Sequence, residues 1–114
     1  MTATEKIILQ NLLHNEEYAR RVVPYIQEEY FQNKIEKQVF LVIKDFIIEY
    51  NNLPSQEAVK IELNKKTNLS DDEYKSSMRF VDSLIKSENI NKDWLVKETE
   101  NFCKDKAVYN AILE

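Results

Sequence analysis

Not one glycine occurs in the 114 residues. A Walker A loop needs glycine so that backbone amides can close around phosphate, and the dinucleotide-binding turn needs it for a similar reason. Neither site can be built from this chain. Tight hairpin turns lose their usual residue as well, leaving asparagine for positions of positive φ, which argues against β structure. A single cysteine, Cys103, forbids an internal disulfide and suits a reducing cytosol. No apolar run approaches the ~20 residues that span a bilayer, so no membrane partner is expected. Lys and Arg number 16 against 20 Asp and Glu, a formal charge of -4. A duplex-binding surface normally carries a basic excess, so DNA is expected to bind weakly if at all.

What remains is ordinary globular material: 43% apolar and 32% charged residues, enough for one domain with a real core. The chain is organised around Ile35 to Tyr50. Val39, Phe40, Ile43, Phe46, Ile47 and Tyr50 recur at the spacing of one helical face. Glu36, Lys37, Lys44, Asp45 and Glu49 are read as the solvated remainder, and Phe46 as the costliest core residue to truncate. Leu41 and Ile48, seven apart, give the far side an apolar character that invites a neighbour or partner.

Around this helix the chain reads as a series of capped segments. Thr2 with Glu5 suggests a capping box opening a first helix through Leu13, and Asn15 can cap a second whose first turn carries Glu16 and Glu17. Pro24 should break that helix. Asn51-Asn52 should end the central one, since asparagine tolerates the left-handed conformation. Ser55 caps a helix over Gln56 to Asn64. Ser70 with Glu73 is the clearest box in the sequence, heading a helix with Tyr74, Met78, Val81 and Ile85 on one face. These readings predict an all-α, compact bundle of five to six helices with a long C-terminal helix.

No catalytic, cofactor or metal site emerges. His14 stands at a helix end with no second ligand type beside it. Cys103 lies on a stripe of small residues and reads as packing. Asp71, Asp72 and Glu73 are explained by helix capping. Arg20-Arg21 and Lys65-Lys66 read as surface charge, and Trp94 as a core or hinge anchor rather than a base-stacking platform.

The last helix, from about Lys92, carries more apolar surface than one core contact requires. Leu95, Phe102, Tyr109 and Leu113 form one stripe; Val96, Cys103, Ala107 and Ala111 form a second; Val108 and Ile112 lie on a third side. The candidate interface is therefore Ala107, Val108, Ala111 and Ile112, with Leu41 and Ile48 on the central helix. No stop signal precedes Glu114, so the expectation is a helix cut within a longer protein.

The string Asp93-Trp94-Leu95-Val96-Lys97-Glu98-Thr99-Glu100, followed by Ala107, Tyr109, Asn110 and Ala111, resembles the N-terminal region of the replicative helicases of T-even-type bacteriophages. Val23-Pro24-Tyr25, Glu29-Tyr30-Phe31, Leu41-Val42-Ile43-Lys44 and Leu53-Pro54-Ser55 agree with it, over nearly the whole chain. The order of elements also resembles the amino-terminal domain of the wider DnaB-type helicases. That resemblance implies a non-catalytic collar domain that pairs with other copies of itself within a hexameric ring and contacts primase and the helicase loader. It places ATP and magnesium only in a separate ATPase domain and the protein in the cytoplasm of an infected bacterial host. It further implies a helical head over residues 1–91, and over 92–114 the first arm of a hairpin leading to that ATPase domain. The rival readings are a small helical phage DNA-binding regulator and a free-standing adaptor protein. A regulator should show a basic recognition helix, and no segment here is markedly basic.

Overall fold

In the computed structural model, which describes residues 3–87 and 89–113, helix boundaries follow the side-chain caps closely. Helix α1 runs Ala3–His14, α2 Glu16–Val22, α3 Lys34–Tyr50, α4 Gln56–Asn64, α5 Asp71–Ser83 and α6 Lys92–Leu113. Thr2, and with it the first capping box, lies outside the described residues, as does Glu114. Asn15 accepts the amide of Tyr18, and Ser55 that of Ala58. The box at Ser70 is complete: its hydroxyl accepts the Glu73 amide while the Glu73 carboxylate accepts the Ser70 amide. That second bond, and then Lys34, hold the Glu73 carboxyl below its usual range. Asn51 takes the left-handed conformation, at φ 52°, and stops α3 where glycine would ordinarily stand. Asn33, not singled out in the sequence, caps the start of α3 through the amides of Ile35 and Glu36.

Pro24 acts as expected. It converts the end of α2 into a 3-10 turn over Val23–Tyr25, and Ile26 leaves it extended. A second 3-10 turn, Glu28–Tyr30, delivers Phe31 to the centre of the molecule. Phe31 is fully buried, with its ring 5.1 Å from Phe40 on α3 and 5.7 Å from Phe102 on α6. This aromatic trio joins the central helix to the last one. Helix α1 packs on α2, α4 on α5, and α3 against both α4 and α5, while α6 closes over α2 and the second 3-10 turn. The core formed by Ile8, Leu9, Leu12, Ile26, Phe40, Ile43, Leu63, Leu84 and Leu95 is continuous through all of them.

Polar staples hold the far ends. His14 Nε2 donates to the Leu84 carbonyl at 2.5 Å, and Gln56 Nε2 to those of Val81 and Leu84. His14 thus ties α1 to the segment after α5 instead of merely ending its own helix. The Tyr18 hydroxyl donates to Thr99 Oγ1 at 2.6 Å, and Thr99 donates onward to the Leu95 carbonyl, so both buried hydroxyls are satisfied.

Four expectations need correction. Phe46 is only half-buried and stacks on Tyr50 at 4.7 Å, because α3 outruns the core beyond Ile43 and Ile47; the central aromatic is Phe40. Ile85 lies past the end of α5 and is 64% exposed; α5 buries the expected Val81 together with Ser77 and Phe80. Trp94 is 50% exposed at the start of α6 and is no core anchor. Glu36, read as surface, is 1% exposed.

Candidate interaction surface

Helix α6 is 22 residues long, about 33 Å at 1.5 Å per residue. Asn91 starts it, its side chain accepting the Trp94 amide. Along the first half the pattern is that of any core helix: Leu95, Val96, Thr99, Phe102 and Cys103 are buried and the residues between them face water. Burial holds the Cys103 thiol neutral, its pKa pushed up to about 11, with Glu100 adding to the effect. That suits packing and not nucleophilic chemistry.

Past Cys103 the pattern inverts. Lys106 and Asn110, one turn apart, are the residues turned toward the rest of the molecule. Lys106 Nζ lies 3.9 Å from Glu5 and 5.8 Å from the Phe102 ring centre, and Asn110 donates to the Glu29 carbonyl at 3.1 Å. Ala107 with Ala111, Val108 with Ile112 and Tyr109 with Leu113 fill the other three strips, and all six are exposed. Val108 is 60% and Ile112 77% accessible. A helix whose polar strip faces the domain while three apolar strips face water is a helix with part of its packing still to be made. Where this half leaves the core, Tyr25, Tyr30, Glu100, Cys103, Lys104 and Ala107 wall an open groove of about 400 Å³.

Of the candidate interface residues, Ala107, Val108, Ala111 and Ile112 are thus gathered on one helix end. Leu41 and Ile48 are elsewhere. Leu41 is half-buried, while Ile48, 67% exposed, shares the projecting end of α3 with Tyr50, 57% exposed. Missing from the sequence reading was the polar cluster beneath α6, formed by Glu5, Glu36 and Lys106. Its signal was present: Glu5 falls on the stripe of Ile8, Leu9 and Leu12, and Glu36 on that of Val39, Phe40 and Ile43.

Among the described residues no group of three or more His, Cys, Asp or Glu side chains is placed to hold a metal ion. Nor is any described helix long and apolar enough to cross a membrane. Arg20, Lys34, Lys60 and Lys92 are paired with Glu16, Glu73, Asp82 and Glu17 respectively. Lys92 accordingly holds the Glu17 carboxyl below its usual range, first by hydrogen bonding and then by charge.

No protein-family model matches the chain. It is 33% identical over 106 residues to a DnaB-like replicative helicase of Enterobacteria phage T4, an alignment covering 93% of this chain. The resemblance to phage replicative helicases therefore extends over nearly the whole chain. The chain spans about a fifth of that relative, 22% of its length.

Proposed function

We propose that this chain is the non-catalytic N-terminal assembly domain of a hexameric phage replicative helicase, and that the second half of α6 is its pairing surface. The observation that carries the reading is the inverted end of α6, with Ala107, Val108, Ala111, Ile112 and Leu113 exposed on a helix tethered to the domain by polar groups. Small residues at Ala107 and Ala111 let another helix approach closely, and Val108 and Ile112 supply the apolar contact. In the full protein that second helix comes from the remainder of the hairpin and from a neighbouring subunit. Primase and the helicase loader are the further partners, with the projecting end of α3 around Ile48 as a second contact.

A chain with no glycine supplies no phosphate loop, so ATP and magnesium fall to an ATPase domain outside these residues. The -4 charge gives a DNA-binding regulator no support.

The reading is tested by sedimentation of the 114-residue chain alone and with primase and loader of the same phage. Concentration-dependent self-association, through an interface near the low end of specific contacts, ~1,200 Å², is the expected result. A chain that stays monomeric at high concentration and joins neither protein overturns it. So does calorimetry that finds micromolar affinity for ATP.

A further inference from the structure

The end of α3 is clasped where it is least covered. Arg20 reaches across from α2, its Nη1 donating to Asn51 Oδ1 at 2.8 Å and its Nη2 to the Asn51 carbonyl at 2.9 Å. Glu16 holds the same guanidinium at 2.8 Å. The Asn51 amide closes the helix on the Ile47 carbonyl, also at 2.8 Å. Exposed apolar residues on a fraying end would need no account, but an end held by these bonds is not fraying. Ile48 and Tyr50 stay 67% and 57% exposed on it.

Between this end and that of α4 lies an open groove of about 230 Å³. Asp45, Phe46, Glu49 and Tyr50 line it from α3, and Glu62, Lys65 and Lys66 from the end of α4. Its volume is below the ~300–1,000 Å³ of sites that hold a small molecule, and suits one extended side chain. Three features select a cation. The rings of Phe46 and Tyr50, 4.7 Å apart, offer a π surface. The lining carries three carboxylates against two ammonium groups. Glu62 is taken by Lys65 at 3.1 Å, while Asp45 and Glu49, one turn apart on the same wall, form no ion pair among the described residues. Finally, both helices present their C-terminal turns, the end of the macrodipole that favours positive charge. A flat guanidinium meets all three, since it stacks on a ring while its N–H groups fork to carboxylates.

We propose that this groove receives an arginine side chain of a partner protein, carried on a segment whose apolar neighbours meet Ile48 and, on α4, Ile61, which is 59% exposed. The second contact of the proposed function, on which this rests, thereby gains its chemistry. Nucleic acid is disfavoured by the same carboxylates. A second copy is a poor source. The chain has three arginines. Arg20 is engaged with Asn51 and Arg21 lies 3.9 Å from Asp93, which leaves Arg79.

The test is amide NMR of the 114-residue chain titrated with a synthetic helical peptide of leucine, alanine and arginine, its arginines one turn apart. The peptide should shift the amides of residues 45–50 and 62–66, with a dissociation constant on the order of 100 μM. Replacing its arginines with lysine should weaken binding about fivefold, and replacing them with glutamate should abolish it. Asp45→Asn with Glu49→Gln should weaken the arginine peptide about tenfold, and Phe46→Leu about threefold. Should a variant fold poorly, the peptide series on the parent chain decides by itself. An arginine peptide that shifts these amides no more than the glutamate peptide overturns the inference, and so do shifts confined to other helices. Amides 45–50 that move on dilution of the chain alone, and no longer do so in Arg79→Gln, assign the groove to a second copy and overturn it too. Sedimentation keeps the two readings apart. Self-association without peptide binding strikes the groove alone; peptide binding by a chain that neither self-associates nor joins primase or loader strikes the assembly reading alone.

Discussion

The two halves of α6 use the same kinds of residue to opposite ends. From Lys92 to Cys103 apolar side chains other than Trp94 face inward and charge faces water; from Lys104 to Leu113 a lysine and an asparagine face inward and apolar side chains face water. Helix α3 shows the same progression more mildly, buried through Ile43, then half-covered at Phe46 and Ile47, then open at Ile48 and Tyr50. The difference teaches that apolar periodicity says a face should be covered without saying by what. Where the chain's own helices run out, the remaining stripe belongs to something else.

The largest effects should fall on the inward half and its aromatic partner. Phe40→Ala or Phe102→Ala removes one ring of the trio centred on Phe31 and should cost about 3–5 kcal/mol in denaturant unfolding. Phe46→Ala, on the projecting end of α3, should cost less than half as much. An equal loss at Phe46 would break the comparison, since a half-covered aromatic would then matter as much as a buried one.

Next comes the buried hydroxyl pair. Thr99→Val keeps the shape but strands the Tyr18 hydroxyl in a site 1% exposed, which should cost about 1–3 kcal/mol. Adding Tyr18→Phe removes the stranded group and should recover part of that loss. No recovery in the double variant would mean that the hydrogen bond at 2.6 Å is not what joins α2 to α6. Asn110→Ala cuts the exposed tether to the Glu29 carbonyl and should lie within ~0.5 kcal/mol of the parent, sharpening the contrast between the halves.

How much of this was legible in the sequence depends on how local its cause is. The caps at Asn15, Ser55 and Ser70 and the stop at Asn51 were readable, because each is a side chain satisfying amides or carbonyls a few positions away. The break at Pro24 follows from one missing donor. The extent of the core was not readable. Phe46 continues the stripe of Val39 and Ile43, and only the placement of the other helices leaves it half-covered. Periodicity gave Glu36 a place on the same stripe, but its charge argued for the surface; burial, and then the charge of Glu5 on α1, distant in sequence, push its pKa up to about 7, and neither is visible in the local pattern. The proposed interface divides the same way. Ala107, Val108, Ala111 and Ile112 lie within one helix and could be grouped by spacing, whereas the place of Leu41 and Ile48 on α3 relative to them is set by tertiary structure.

The smallest effect on stability should carry the most information about association. Ile112 is 77% exposed, so replacing it with glutamate removes little contact made within the chain. Surface changes of that kind usually stay within ~0.5 kcal/mol, and the melting temperature should barely move. Association is a different matter. If Val108 and Ile112 meet a second copy, a carboxylate at position 112 must be stripped of water without a partner, and a desolvated charge costs several kcal/mol. Ile112→Glu should therefore shift sedimentation to monomer at concentrations where the parent chain associates. Leu95→Glu, in the inward half, should instead unfold the chain, because position 95 is 0% exposed. If Ile112→Glu also unfolds the chain, the second half of α6 serves its own core and the two halves do not differ. If it folds normally and associates like the parent, the apolar end has been assigned the wrong partner.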